Sequence, residues 1–471
     1  MFWAIFVILA HSLGALTAVR AIMDTRTAQG AIAWAIILLL FPYLSVPAYW
    51  IFGRTKFHGY ISKRRDELLK TNQVAQRLQA ELIERDLLAE PGREHALLID
   101  RLAKLPFTTG NDVELLIDGD ATFRSIFEGI AAARNYLLVE FYILRDDDLG
   151  RRFQQALIAK ARAGVRVAVL FDEIGSKHLP ASYQEELRAG GVEVHPFNTR
   201  HGPSNRWQVN FRNHRKIVVV DGEAAWVGGL NVGDEYLGLG KKLHPWRDTH
   251  MKVTGPAVLG AQFAFYEDWH WATQEFLELR WEAEPAKSGA GRTVLALPSA
   301  PSDPLETCTL FFLHVVNRAE QRLWIATPYF IPDEQFISAL QLAALRGVDV
   351  RLLIPGKSDG PLVGLSNWCC TASLMNVGVK VYRYPGFTHQ KVVLVDGDYA
   401  TVGTANFDNR SFRLNFEITM AVADRDFAGQ VAQMLENDFA RAHQVTNEEI
   451  RKRGFWFRFG TRAARLLSPV Q

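Results

Sequence analysis

Two copies of one short motif hold the residues best suited to chemistry. Both copies read H-x-K-x4-D, and both continue with a glycine at +14 and an asparagine at +17 from the histidine. The motif residues are His214, Lys216 and Asp221 in the first copy and His389, Lys391 and Asp396 in the second. One copy alone is more often a charged strand end than a site. Two copies with matching offsets indicate a functional site.

The spacing predicts where the motif side chains point. Residues two apart on a strand share a face, so each histidine projects with its lysine. The Asp-Gly pair that ends each motif is typical of a tight turn into a second strand. This position favours a structural role for Asp221 and Asp396, although we group them with the catalytic motif.

These residue types suit work on a phosphodiester. A lysine supplies a compact positive charge, and an asparagine supplies an amide donor, for phosphate oxygens. Loops of small residues let the backbone approach an anion closely. We therefore predict phosphate binding by the following loop residues: Gly229, Asn231, Thr404 and Asn406. Two facing imidazoles can then take different roles, in which one attacks phosphorus and the other protonates the leaving oxygen.

Two acidic residues are predicted to support the histidines. When the two halves of the chain are aligned, Asp248 coincides with Glu417, at +34 and +28 from the histidine of the same half. A buried imidazole needs a partner on its second nitrogen, which sets its tautomer. We expect each acid to lie behind a histidine in this role.

The elements that carry these residues also repeat. Residues 160–170 resemble residues 342–354, and residues 137–143 resemble residues 323–331. Each half alternates helices with apolar strands, which is typical of an α/β domain around a largely buried sheet. A cluster of proline and glycine near residues 285–300 marks the boundary. We predict one domain over 108–290 and a second over 291–446.

The first 53 residues are predicted to form two transmembrane helices. Residues 2–19 and 27–53 carry no formal charge, and either stretch approaches or exceeds the length that spans a hydrocarbon core. Pro42 and Pro47 should kink the second. A cleaved signal peptide is disfavoured because the N-terminus lacks a positive charge, and a buried core hairpin is the remaining alternative. The basic residues that follow at 54–65 favour catalytic domains on the cytoplasmic side.

The remaining segments are predicted to connect or to anchor. Residues 54–107 form a cytoplasmic linker with an amphipathic helix. In the tail, 447–471, six basic residues and no acidic ones occur between 451 and 465, interleaved with aromatic residues. This composition suits the interface of an anionic membrane, with a solvated tail as the alternative. No histidine or cysteine spacing is typical of a metal site, so we predict no metal.

Composition excludes several classes of protein. The net charge is +2 over 471 residues, which is no footprint of a nucleic-acid-binding chain. A hydrophobic content of 48% excludes a disordered chain. Three cysteines, two of them adjacent, cannot build a disulfide framework and favour a reducing compartment.

The paired motifs resemble those of the phospholipase D superfamily, and the resemblance is closest to bacterial cardiolipin synthases. It covers nearly the whole chain, including the apolar N-terminus and the segments 140–143, 231–236, 327–333, 355–359 and 406–417. The resemblance implies an α/β fold of two tandem phospholipase D-like domains related by a pseudo-two-fold duplication, after a transmembrane hairpin. It also implies a phosphatidyl transfer through a phosphohistidine, without metal or other cofactor. By the same resemblance His214 is the nucleophile and His389 the acid and then the base, while the residues themselves leave these two roles open.

The resemblance further implies the substrates and the location. One phosphatidylglycerol would donate its phosphatidyl group to another, giving cardiolipin and glycerol, in the bacterial inner membrane with a multi-pass anchor. The expected partners are phosphatidylglycerol, cardiolipin and the lipid bilayer, with no nucleic acid; whether the chain forms a homo-oligomer is left open. The alternatives are a phospholipase D hydrolase, a transferase with another alcohol acceptor, a nuclease and a membrane scaffold with a dead site. The apolar N-terminus and the balanced charge disfavour the nuclease, and the intact histidines and lysines disfavour the scaffold.

Overall fold

Two copies of an α/β unit make up the globular part of the chain. The structure is a computed structural model that describes residues 2–25, 27–53, 73–89, 98–99, 101–197, 210–240 and 242–466. The predicted α/β class with two related domains is confirmed. The predicted boundary between residues 290 and 291 stays a prediction, although the two units begin with equivalent strands at Thr108 and Arg292.

The two units contribute equivalent main strands, while their short strands differ. The strands of the first unit are β1 (Thr108–Ile117), β2 (Tyr136–Phe141), β3 (Arg166–Asp172), β4 (Glu193–Phe197), β5 (Arg212–Asn213), β6 (Ile217–Val220), β7 (Ala224–Gly228), β8 (Trp246–Arg247) and β9 (Thr249–Thr254). The strands of the second unit are β10 (Arg292–Ser299), β11 (Arg322–Ala326), β12 (Phe330–Ile331), β13 (Asp349–Pro355), β14 (Lys380–Tyr384), β15 (Phe387–Thr388), β16 (Val392–Val395), β17 (Tyr399–Gly403), β18 (Phe407–Asp408), β19 (Asn415–Ala423) and β20 (His443–Gln444).

One continuous sheet joins the two units about a pseudo-two-fold axis. Its order is β4-β3-β2-β6-β7-β9-β1-β10-β19-β17-β16-β11-β13-β14-β20. The axis passes between β1 and β10, which pair antiparallel, with Thr108 opposite Val294. On each side of it the main strands follow in equivalent order and end in three parallel strands, to which the second side adds the two-residue β20, antiparallel to β14. The strands are buried on both faces, which explains their continuous apolar sequences.

Helices cover both faces of the sheet. Those of the first unit are α4 (Asp118–Ala132), α5 (Asp148–Arg162), α6 (Ala181–Ala189) and α7 (Val258–Thr273), with a short 3-10 turn at Asp234–Leu237. Those of the second unit are α8 (Thr307–Asn317), α9 (Glu334–Leu345), α10 (Pro361–Ser366), α11 (Thr371–Met375), α12 (Asn409–Arg413) and α13 (Arg425–Arg441). The helices α7 and α13 pack on the central strands of both units, so one hydrophobic core spans the junction.

The apolar N-terminus differs in part from the prediction. It forms α1 (Phe2–Asp24), α2 (Ala28–Leu40) and α3 (Pro42–Phe52), and among the described residues only α1 is long and apolar enough to cross a membrane. The second predicted helix is broken at Phe41 because Pro42 has no N–H and forces the preceding residue out of helical geometry. The Ser45 hydroxyl donates to the carbonyls of Ile37 and Phe41 and so satisfies backbone groups at the break.

The connecting segments are described in part. The basic stretch at 54–65, on which the predicted orientation rests, lies outside the described residues. Residues 73–84 of the predicted amphipathic helix are helical, and Leu78 and Leu82 pack against Leu259 and Phe263 of α7. The tail forms α14 (Asn447–Lys452) and α15 (Phe455–Arg465).

Candidate active site

The two motif histidines lie at the junction of the units. Each follows a two-residue strand that pairs in parallel with the other unit: β5 with β19, and β15 with β8. The pairing continues through the histidines themselves, because His214 N donates to Phe416 O at 2.9 Å and His389 N donates to Arg247 O at 2.7 Å. Each motif strand therefore crosses into the opposite unit before it enters its own sheet.

This crossing pairs each histidine with the carboxylate of the other unit. The Nδ1 atom of His214 lies 3.0 and 2.9 Å from the two carboxylate oxygens of Glu417. The Nδ1 atom of His389 lies 2.7 Å from Asp248 Oδ2. The structure thus brings together both predicted acid–histidine sets, but with the partners exchanged between the halves. Offsets along one half could not show this exchange, because it depends on which sheet edges meet.

Each carboxylate is held by further contacts. Glu417 is fully buried and accepts a 2.6 Å hydrogen bond from Thr404 Oγ1 and a 3.0 Å bond from Asn415 Nδ2. Asp248 is also fully buried and lies against Gly229, where a Cβ atom would stand 2.0 Å from Asp248 Oδ1. A glycine at this position therefore makes room for the carboxylate.

The lysines lie beside the histidines as predicted from their spacing. Lys216 Nζ donates to His214 O at 2.6 Å, and Lys391 Nζ donates to His389 O at 2.5 Å. Both lysines are buried. Burial lowers the pKa of Lys216 to about 7 and that of Lys391 to about 8, because desolvation disfavours the charged amine. A bound anion would therefore stabilise the charged form of both amines.

Burial also keeps the histidines neutral. It lowers the pKa of His214 to about 4, against the opposing effect of Glu417. It lowers the pKa of His389 well below the usual value, and the positive charge of Lys391 adds to the effect. In a neutral imidazole whose Nδ1–H donates to a carboxylate, Nε2 carries the free lone pair. Each histidine thus presents a nucleophilic or basic nitrogen on the side away from its carboxylate.

Aromatic residues that the sequence analysis did not select surround both histidines. The ring of Tyr142 lies 5.0 Å from the His214 ring. The rings of Trp246, Phe387 and Tyr236 lie 5.2, 5.8 and 6.4 Å from the His389 ring. The alternation of side chains along a strand could have indicated Trp246 and Phe387. Trp246 stands two residues before Asp248, and Phe387 stands two residues before His389.

Two buried arginine–aspartate pairs fasten the segments around the histidines to helices α7 and α13. Arg215 Nη1 donates to Asp268 Oδ2 at 2.6 Å, and its Nε donates to Glu417 O at 3.0 Å. Arg247 of β8, in the first unit, donates through Nε to Asp438 Oδ1 of α13, in the second unit, at 2.9 Å. These pairs hold the backbone on either side of the histidines.

The structure shows which groups Asp221 and Asp396 bind. Both lie at the turn beyond the motif strand and have positive φ angles, 55° and 51°. The carboxylate of Asp221 accepts from the backbone amides of residues 134–136, and that of Asp396 from the amides of residues 320–322. Each aspartate therefore fixes the start of the neighbouring strand, which favours the structural role expected from its place at the turn, and its grouping with the catalytic motif stays a prediction.

The predicted phosphate loops differ among themselves. The amides of Gly229 and Thr404 already donate to the carbonyls of Thr249 and Ile418, so their backbones are not free for an anion. Asn231 accepts from Ile143 N. In the part of the chain that the structure describes, Asn406 Oδ1 is buried without a hydrogen-bond partner.

Asn231 donates in addition to Tyr236 Oη. The free atom of Asn406 is an acceptor and cannot bond to a phosphate oxygen, so phosphate binding by the four loop residues stays a prediction. No group of three or more metal-ligating side chains occurs among the described residues, and the absence of a metal stays a prediction.

Comparison with known proteins places the chain in a family. The model of the family described as "Cardiolipin synthase, PLD-like domain" matches residues 126–241 and 312–441, and that described as "Phospholipase_D-nuclease N-terminal" matches residues 1–54. Cardiolipin synthase A of Pseudomonas entomophila is 48% identical over 477 residues, which cover 100% of this chain and 98% of the relative. Cardiolipin synthase A of Pseudomonas fluorescens is 47% identical over 98% of this chain and 97% of its own.

A solved structure agrees with the fold. Phosphatidylserine synthase of Haemophilus influenzae Rd KW20 superposes with a TM-score of 0.59 at 16% identity, covering 80% of this chain and 100% of its own. At this identity the likeness concerns the fold, which is that of two phospholipase D-like domains. The duplicated sheet, the two motif histidines at its junction and the full-length relatives together show that the chain belongs to the family of cardiolipin synthases with phospholipase D-like domains.

Proposed function

We propose that the enzyme makes cardiolipin by transferring the phosphatidyl group of one phosphatidylglycerol to a second, with release of glycerol. The observation that carries this proposal is the pair of buried histidines, each bonded through Nδ1 to a carboxylate and flanked by a buried lysine. The full-length similarity to cardiolipin synthases supports the choice of lipid.

The first half of the reaction cleaves the donor. The phosphate of phosphatidylglycerol lies between Lys216 and Lys391, whose charges stabilise its oxygens. The free Nε2 of His214 attacks phosphorus, and a P–N bond forms while the P–O bond to glycerol breaks. Glu417 stabilises the positive charge that develops on the His214 imidazole. His389, which takes up a proton on Nε2 when the phosphate is bound, gives that proton to the glycerol oxygen.

The second half forms the product. The free primary hydroxyl of the second phosphatidylglycerol loses its proton to His389, and its oxygen attacks phosphorus. The new P–O bond replaces the P–N bond, which releases His214 neutral and leaves His389 protonated for the next cycle. A protonated His389 is consistent with the bound state, since the negative phosphate opposes the lysine charge that lowers its pKa in the free site.

The location is proposed on the same grounds. The family and the apolar helix α1 make the protein membrane-associated. We infer a multi-pass anchor in the bacterial inner membrane from the apolar α1, α2 and α3, and we place the catalytic units on the cytoplasmic side because basic residues follow this segment at 54–65 in the sequence. The exposed aromatic residues Phe455, Trp456 and Phe459 on α15, among basic residues, support contact of the tail with the membrane interface.

The products distinguish this function from its alternatives. Purified enzyme with labelled phosphatidylglycerol should give cardiolipin and glycerol without added metal. Phosphatidic acid as the main product would indicate a hydrolase, and no turnover would indicate a scaffold. Either outcome would contradict the proposal.

An assay that assigns the roles of the two histidines uses a donor whose leaving group needs no proton, such as a phosphatidyl p-nitrophenol. His389→Ala should still release nitrophenol once and accumulate an acid-labile phosphoenzyme, whereas His214→Ala should do neither. The reverse pattern would assign the nucleophile to His389.

A further inference from the structure

The residues around the two histidines differ in charge, although the two units are related by a pseudo-two-fold axis. Arg212 stands two residues before His214, and Arg410 stands four residues after Asn406. The equivalent positions of the other unit, two before His389 and four after Asn231, hold Phe387 and Glu235. The reaction is equally asymmetric, because a donor and an acceptor must be told apart.

Arg212 faces the same side of its strand as the nucleophilic histidine. In the pairing of β5 with β19, Arg212 lies opposite Asn415, and Asn415 in turn contacts Glu417. Residues two apart on a strand are separated by about 7 Å and project to one side, so Arg212 points to the side of His214. Its guanidinium lies within reach of the Tyr142 hydroxyl, and the Tyr142 ring packs 5.0 Å from the His214 ring.

The two guanidinium groups are close enough to repel each other. Burial lowers the pKa of Arg410 and the charge of Arg212 lowers it further, while the charges of Asp408 and Asp172 oppose the shift in part. The nearby carboxylate of Asp172 already accepts from the amides of Ile174, Gly175 and Asn213. Arg212 Nη1 donates to the Phe211 carbonyl at 2.6 Å, and among the described residues no carboxylate oxygen lies within 4.0 Å of an Arg212 nitrogen. An anion placed between the two arginines would therefore relieve the repulsion.

The arginine pair also lies close to the end of the membrane segment. Arg410 donates to the carbonyl of Asn210, and Asn210 Nδ2 donates to Phe52 O, the last residue of α3, at 3.2 Å. Lipid phosphates lie at the level where apolar helices leave the bilayer. The two arginines thus lie between His214 and the level of the membrane at which lipid phosphates are found.

We infer that Arg212 and Arg410 form a second phosphate subsite, which binds the non-reacting phosphate of the acceptor phosphatidylglycerol. The inference rests on the proposed function. The donor phosphate occupies the position between the histidines and lysines, while the acceptor carries its own phosphate one glycerol away from the attacking hydroxyl. A subsite for that phosphate favours lipid acceptors over water and over alcohols that lack a phosphate.

Two assays on one enzyme preparation test the subsite. Exchange of labelled glycerol into phosphatidylglycerol needs the histidines and the donor but no second phosphate, whereas cardiolipin formation needs both. In Arg212→Gln the ratio of cardiolipin formation to glycerol exchange should fall about 10- to 100-fold, as expected when a charge-assisted contact to substrate is lost. Arg212→Lys, which keeps the charge, should restore most of the ratio.

The controls separate this inference from the proposed function. Arg280→Gln removes the same charge from a surface ion-pair cluster and should leave the ratio unchanged. If both rates fall equally in Arg212→Gln, or if neither falls, the subsite is refuted. A wild-type enzyme that exchanges glycerol but makes no cardiolipin would instead refute the proposed function.

Discussion

Glu417→Gln isolates the contribution of the carboxylate to the nucleophile. Each carboxylate oxygen of Glu417 accepts from two donors: one from His214 and Asn415, the other from His214 and Thr404. Glutamine has nearly the same shape, but its NH2 group must replace one of these oxygens. At either position that group faces two donors, so the network cannot be restored by an amide flip.

The expected loss follows from the type of bond. A hydrogen bond to a charged group contributes about 1.5–3 kcal/mol, which corresponds to a decrease in kcat of about 10- to 150-fold. The charge of Glu417 matters most when His214 becomes cationic in the transition state, so kcat should fall while KM changes little. Thr404→Val removes one donor to the carboxylate but keeps its charge opposite His214, so its kcat should fall by less than that of Glu417→Gln.

Initial rates of cardiolipin formation on mixed micelles, together with thermal unfolding, provide the measurement. A wild-type kcat in Glu417→Gln would refute the role of the carboxylate. So would a loss confined to KM. A variant whose Tm falls strongly in parallel with its activity would indicate a structural contribution, and Glu417→Asp then serves as the test, because it restores the charge in the same buried place.

Three further outcomes are expected. Because the pKa values of Lys216 and Lys391 are lowered to about 7 and about 8, raising the pH from 7 to 9 removes their charge, so kcat/KM should fall; a flat profile would exclude charged lysines from phosphate binding. Gly229→Ala places a methyl group 2.0 Å from Asp248 Oδ1 and should abolish most cardiolipin synthesis, whereas normal turnover would show that the carboxylate can move freely. Deletion of 451–471 should weaken binding to anionic vesicles in flotation assays, and unchanged binding and turnover would exclude a membrane role for the tail.

Much of the site could be predicted because it is local in sequence. Alternation on a strand places Lys216 beside His214, and the Asp-Gly pair sets the turn at Asp221. The repeat offsets likewise pointed to Asp248 and Glu417 as histidine supports.

The rest depends on long-range geometry. The exchange of carboxylates between the units follows from the pairing of β5 with β19 and of β15 with β8, which no spacing within one half contains. The sequence similarly predicts that Gly229 belongs to a phosphate-binding loop, but glycine is needed there because the Asp248 carboxylate packs against it. The break before Pro42 also divided an apolar stretch whose length alone predicted one helix.

The exchanged carboxylates make each half chemically incomplete by itself. His214 without the second unit loses Glu417, and His389 without the first unit loses Asp248. Two copies of a single half, however, could each lend the acid that the other lacks, so the arrangement is that of a symmetric dimer whose subunits have been joined into one polypeptide. Once joined, the two copies were free to diverge around a shared centre, and a damaged acid in either half disables the histidine of its neighbour.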